Sequence, residues 1–131
     1  MGVITYTSGT TALVATTRHN RVLLWGGGSA GGAADGNPGG GGGGGGGQFV
    51  YSRRTLTPGT SYNVAVGGTT AGADSAGANG ADTTFNVSDV VAKGGIGGAL
   101  NTVNSTSNAG GVGSTTGGAG DTVTKGSDGG T

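Results

Sequence analysis

The chain has no cysteine and no glutamate, and only one histidine, one tryptophan, one methionine and two prolines in 131 residues. Each shortage removes a class of protein. Without cysteine there is neither a disulfide staple nor a thiolate metal site, and the redox compartment leaves no mark on the sequence. Without glutamate, with lysine confined to Lys93 and Lys125, and with nothing repeating at i, i+3, i+4, no segment is expected to be helical. No stretch approaches the roughly 18 apolar residues of a membrane span. The opening "MGVITYTSGTTALV" lacks the basic and long apolar regions of a secretory signal. Tyr6 stands where a myristoylation pattern has Ser or Thr. Work outside a cell would therefore require another exit route, such as release within a particle. Charged residues are 9% of the chain, with six cationic and six acidic side chains, for a formal net charge of zero. Such a chain gains little solubility from self-repulsion and is expected to fold or to associate. A neutral domain with few aromatics also lacks the footprint of a nucleic-acid binder.

What is abundant is glycine, 36 residues in all, and nine of them follow one another from Gly39 to Gly47. That share lies in the low-complexity range, where disorder usually pairs low hydrophobicity with high net charge. The second half of the pairing is missing. Short segments with alternating apolar and β-branched residues read as strands near Val3–Tyr6, Ala12–Thr16 and Val22–Trp25, separated by "TSGT" and "TRHN". "QFVYSRRTLTPGTSYNVAVGG" reads as a hairpin turned by Thr57–Gly59, with Pro58 setting the first φ. "TTFNV" (Thr83–Val87) and "VVAK" (Val90–Lys93) add two short strands. The expected fold class is all-β, short antiparallel strands together with packed polyglycine helices of the polyproline type and no α-helix. Such an extended helix, with about three residues per turn, bonds to its neighbours rather than to itself, and glycine lets neighbours come close. Three regions are expected: N-terminal strands over 1–25 that form a small sheet for assembly or docking, a glycine-rich module over 26–98, and a polar, exposed, least ordered end over 99–131.

The motifs that could carry chemistry have plain structural readings. "GGGSAG" (Gly26–Gly31) fits a dinucleotide fingerprint, but "GAADGNPGGGG" follows it and cannot open the helix that the motif needs. "GGAGDTVTK" (Gly117–Lys125) and "GANGADTTF" (Gly77–Phe85) each miss the calcium-binding nonapeptide by one feature and stand apart, so they read as turns. His19 sits in a turn, and the six acids, Asp35, Asp74, Asp82, Asp89, Asp121 and Asp128, lie mostly in turn-capping contexts. No nucleophile setting is evident, no cofactor or metal is implied, and a non-enzyme is expected. Two glycosylation patterns, Asn86-Val87-Ser88 and Asn104-Ser105-Thr106, read as chance. Trp25, at the lip of the glycine run, is expected to anchor the small core with its N–H on a glycine carbonyl. Arg18, Arg21, Arg53 and Arg54 are expected to gather on the sheet. They would either protect its edges or contact an anionic surface.

The ordered set "LLWGGG", polyglycine, "TLTPGTSYNVAVGG", "AGANGADTTF" and "VVAKGGIGG" resembles the glycine-rich domain of bacteriophage tail-fibre and related virion proteins. The likeness covers about Val3 to Gly98. It implies short β-strands mixed with packed polyglycine helices, with Trp25, Gly39, Gly47, Pro58, Gly59, Tyr62 and Phe85 as structural positions. It further implies a fibre or fibre-tip module at the virion exterior that contributes to host attachment, with a capsid decoration or head-fibre protein as the alternative. A homo-oligomer, a trimer by preference, is expected to contact other virion proteins and a host surface glycan or outer-membrane protein. An extracellular filament or ice-binding protein is the remaining alternative. It would show Gly-x-x triplets along the whole chain, and none is sustained.

Overall fold

A computed structural model describes residues 2–34, 40–72, 75–101, 110–113 and 117–130. Among them the protein is all-β, with two antiparallel sheets and no helix. The strands are β1 (Gly9–Val14), β2 (His19–Trp25), β3 (Phe49–Thr55), β4 (Ser61–Val66), β5 (Thr83–Phe85), β6 (Val90–Ala92) and β7 (Thr122–Thr124). One sheet has the order β1-β4-β5-β6 and the other β2-β3-β7.

The topology is a single ribbon folded over itself. β1 lies antiparallel to β4, with Gly9 opposite Val66 and Val14 opposite Ser61, and β2 lies antiparallel to β3, with His19 opposite Thr55 and Trp25 opposite Phe49. Both strands of the ribbon turn a corner together, at residues 15–18 and 56–60. The Ala15 N–H donates to the Thr60 carbonyl (3.0 Å), Gly59 to Ala15 (2.8 Å) and Leu56 to Arg18 (2.7 Å), so the ladder survives the bend. Ala15 and Leu56 are buried at the corner and pin it to the core. Thr57–Thr60 is a turn in which Pro58 sets one φ and Gly59 supplies the positive φ of 83°, closed by Thr60 N–H on the Thr57 carbonyl at 3.1 Å.

This arrangement corrects two sequence expectations. "QFVYSRRTLTPGTSYNVAVGG" is not a hairpin, because β3 and β4 belong to different sheets. The N-terminal strands likewise do not form one sheet, since β1 and β2 are divided between the two. In both places the turn chemistry is real, but it moves the chain from one sheet to the other. Residues 3–6 are not a strand, and β7, which pairs with β3 through Phe49–Thr124 and Tyr51–Thr122, stands where only a polar end was expected.

The inner faces of the two sheets meet in a small core of Leu24, Val50, Leu56, Val64, Phe85, Val90, Ala92 and Ala15. Tyr62 stacks on Phe85 at 5.8 Å between centroids, and its hydroxyl oxygen accepts the Thr57 N–H at 2.9 Å, joining the core to the corner. Along the side where β1 and β2 are edges with no further strand beside them among the described residues, the core is open. A groove of about 1340 Å³ there is lined by Tyr6, Leu13, Val22, Leu24, Val64 and Phe85, with the segment 2–7 at its mouth.

Beyond the ribbon lie the glycine-rich runs, and their bonding has a period of three. Gly26, Ser29 and Gly32 donate to the carbonyls of Gln48, Gly45 and Gly42 at 2.9, 3.0 and 2.8 Å. The intervening Gly27, Ala30 and Ala33 donate to Ala81, Ala78 and Ser75 of another run. Gly42, Gly45 and Gln48 in turn donate to Ala99, Ile96 and Lys93, while Gly43 and Gly46 donate to Gly130 and Ser127. Gly95, Gly98 and Asn101 close the array onto Gly27, Ala30 and Ala33. A β-strand returns to the same neighbour every second residue. These runs return every third, which lets each bond to several neighbours.

Candidate functional site

No cleft in the described residues gathers the acids. Asp82 holds Lys93 (2.6 Å) and the Gly94 N–H (3.0 Å), and Asp128 holds Lys125 (2.7 Å) and the Gly113 N–H (2.9 Å). Asp121 accepts the Arg53 N–H (2.7 Å) and pairs with Arg54 (3.5 Å), and Asp89 accepts from the Asn86 side-chain amide. These are four separate structural ties. Asp35 and Asp74 lie outside the described residues, as do Gly39 and the Asn104 glycosylation pattern.

Aromatic and cationic side chains gather instead on the outer face of the β2-β3-β7 sheet. Alternation along β2 puts His19, Arg21, Leu23 and Trp25 on one side and Val22 and Leu24 on the other, facing the core. The register then sets Phe49, Tyr51, Arg53 and Thr55 of β3 directly beside them. Trp25 and Phe49 meet with ring centroids 5.0 Å apart, tilted by 46°. Next along the ladder come Leu23 and Tyr51, then Arg21 and Arg53. β7 extends the face with Thr122 and Thr124.

Trp25 thereby departs from its expected place. It is 62% exposed and outside the core, and its partner is an aromatic ring. What is buried at this position is its backbone: the Trp25 carbonyl accepts the Thr83 hydroxyl at 2.6 Å, and Thr83 in turn accepts the Gly67 N–H at 2.9 Å. Apolar residues occupy both faces of "HNRVLLW", so the sequence alone does not say which face turns inward. The side chain of Leu24 fills the core that Trp25 was expected to fill.

The four arginines separate into two groups. Arg21 and Arg53 are exposed neighbours on the outer face, and Arg18 stands exposed at the corner that leads into β2. Arg54 points the other way, donating to the Asp89 carbonyl at 2.7 Å and pairing with Asp121. The Arg53 guanidinium donates to the Tyr51 hydroxyl oxygen at 3.1 Å, which raises its already high pKa and keeps it charged. Asp121 is held below its ordinary value first by the Arg53 backbone N–H that it accepts and further by the Arg54 guanidinium. Like charges directly across a sheet repel. No ion pair engages Arg21 or Arg53 among the described residues, and the nearby Asp121 carboxylate offsets the Arg53 charge only in part.

The other structural positions serve the fold. Gly47 lies in the glycine array, where a Cβ would come 2.2 Å from the Gly26 carbonyl oxygen. Pro58 and Gly59 make the corner turn, and Tyr62 and Phe85 form the stacked pair beneath it. No curated protein and no solved structure matches the chain. A glycine-rich domain family does match, over residues 5–131, which is nearly the whole length and includes the C-terminal region that the sequence likeness left out. The chain belongs to the glycine-rich domain family.

Proposed function

We propose that the protein is a non-enzymatic structural component of a bacteriophage virion, a fibre or fibre-tip module at the particle exterior that contributes to host attachment. The observation that carries this reading is the three-residue bonding period of the glycine runs. In this reading the runs are extended polyglycine helices of the polyproline type, with about three residues per turn and a rise of about 3.1 Å. A bundle of such helices derives its cohesion from the backbone, as a chain with so small an apolar core requires. It also suits a particle surface, which must hold its shape without a thick interior.

The open side of the sandwich supports an oligomer. β1 and β2 are both edges without a further partner among the described residues, the groove beside them exposes core residues, and Val3, Ile4 and Val14 are exposed close by. Unpaired strand edges and exposed apolar surface are what subunits cover on assembly. A homo-oligomer, with a trimer as the arrangement suited to a fibre, places these edges at subunit contacts and leaves the outer face of the β2-β3-β7 sheet free.

The test is immunogold labelling of purified phage particles with an antibody against the recombinant chain, alongside light-scattering mass measurement of the protein itself. Label at the tail extremity and a trimer are expected. Label over the capsid shell would replace the fibre reading with the decoration reading. Absence of label from particles would overturn the virion assignment.

A further inference from the structure

We propose that the outer face of the β2-β3-β7 sheet is a receptor site for an anionic saccharide, one bearing phosphate or carboxylate groups. The inference rests on the attachment role proposed above and names the ligand class and the residues.

Three features of one face converge on that chemistry. The first is an exposed apolar platform. Trp25 is 62% and Leu23 47% exposed, and Phe49 and Tyr51 stand beside them. Phe49 and Tyr51 are half-buried, so Trp25 supplies the exposed ring, whose flat face suits the apolar C–H side of a sugar ring. The second is cationic. Arg21 and Arg53 sit directly opposite each other with Arg18 at the nearby corner, and the mutual repulsion of the pair is relieved when an anion sits between the two guanidinium groups. Planar guanidinium groups take phosphate and carboxylate in paired, charge-assisted hydrogen bonds. The third is spacing. Trp25 and Arg21 are four positions apart on one strand, about 13 Å at strand rise, so platform and cations address different units of one short oligosaccharide. The Tyr51 hydroxyl and the Thr122 and Thr124 side chains on β7 supply neutral polar groups between them.

Charge complementarity also selects against other occupants. A second copy laid face to face would oppose Arg21 and Arg53 to their own equivalents. A nucleic acid would need a basic track along its backbone, whereas these cations occupy one end of a neutral domain.

Trp25 is the chain's one tryptophan, so its emission reports on this face alone. The experiment is calorimetric titration combined with tryptophan emission, using the full chain. The probes are the phosphorylated oligosaccharide released by deacylating lipopolysaccharide, a neutral dextran fragment of similar length, inorganic phosphate and a single-stranded oligodeoxynucleotide. The phosphorylated oligosaccharide is expected to bind saturably, to shift Trp25 emission, and to weaken as salt rises well above physiological strength. Arg21→Gln and Arg53→Gln should each lower its affinity about tenfold or more, the loss of a charge-assisted contact, with circular dichroism unchanged. Thr10→Ala, on the outer side of the other sheet, should leave it unaltered. No binding by the unmodified protein, or affinity unchanged from it in both arginine variants, overturns the site. Equal binding of dextran or free phosphate overturns the anionic-saccharide chemistry, and equal binding of the oligodeoxynucleotide overturns the preference for sugars. Immunogold labelling separates this outcome from the broader one. Labelled particles with no oligosaccharide binding sink only the site, whereas oligosaccharide binding without labelled particles sinks the virion role.

Discussion

At Gly32 an added Cβ would sit 2.0 Å from the Ala99 carbonyl oxygen, and at Gly45 it would sit 2.2 Å from that of Val112. Neither glycine has a positive φ, so both are required for close approach. Ser29, in the bonding row between Gly26 and Gly32, carries a hydroxyl into the array, where it lies 2.8 Å from the Gly45 carbonyl and 2.7 Å from that of Ile96. A polar side chain is accommodated there because it adds hydrogen bonding. Gly28 differs from Gly32, since the nearest atom to its added Cβ is a Thr69 methyl at 3.9 Å. Gly32→Ala is expected to destabilise the protein by about 2–4 kcal/mol, from overpacking and from displaced backbone bonds. Gly28→Ala should stabilise it by about 0.4–1 kcal/mol by restricting the unfolded chain. Urea unfolding of the two variants decides the matter, and like signs would refute the packing account. Val87 presents the reverse case. This β-branched residue lies at φ +64° on the tip between β5 and β6 with 72% exposure, and it follows Asn86 at +50°. The left-handed region costs an L-residue about 1–2 kcal/mol, so Val87→Gly should raise stability by about 1 kcal/mol. A loss of stability would mean that the side chain makes a contact worth more than the strain.

The strands and the glycine runs differ in how their backbone bonds repeat, and amide exchange can read the difference. Through residues 42–48, donors with a backbone partner fall at Gly42, Gly43, Gly45, Gly46 and Gln48, whereas Gly44 and Gly47 have none among the described residues. Exchange measured by NMR should therefore show two slow amides and one fast one, repeating. Uniform fast exchange would make the run a tether, and alternation by two would make it a strand. Much at this scale is legible in sequence. β5 and β6 lie where "TTFNV" and "VVAK" place them, and Pro58-Gly59 does make a turn. The partner of each strand is not legible. Local turn chemistry at 15–18 and 56–60 is the same whether the chain reverses within a sheet or crosses to another, and only the buried Ala15 and Leu56 fix the corner. β7 is hidden for a related reason. "TVT" is short, polar and exposed, and it is a strand because β3 offers an edge. In the candidate site, the arginines are conspicuous in sequence. The separation of Arg53 from Arg54 follows from strand alternation, whereas the exposure of Trp25 depends on which face of β2 turns inward.

For the whole molecule, the question is what ties the C-terminal third to the rest when its strand is three exposed residues long. One carboxylate ties it to β3, and a second braces the C-terminal region internally. Asp121 joins the entry to β7 to the backbone of Arg53 and the side chain of Arg54, and Asp128 joins the chain end to Gly113 and Lys125. Both are held below the ordinary carboxylate value of 3.8, Asp121 mainly by the Arg53 N–H and Asp128 mainly by the Lys125 ammonium. A carboxylate with a depressed pKa in the folded state binds fewer protons there than in the unfolded chain. Its contribution is therefore complete above about pH 4 and is lost as pH falls through the depressed folded values. The urea midpoint should accordingly be level from neutrality to about pH 5 and decline below about 4. The decline should begin at the C-terminal end, with amides of 122–130 gaining exchange before those of β1–β4. Asp121→Asn should lower the midpoint at neutral pH and flatten the acid decline, because the amide accepts one of the two contacts but carries no charge. A midpoint that already falls between pH 7 and 5, or acid exchange that starts in β1–β4, would show that these carboxylates do not hold the C-terminal third in place. The glycine array would then be left to keep the C-terminal region docked through the Gly43–Gly130 and Gly46–Ser127 bonds.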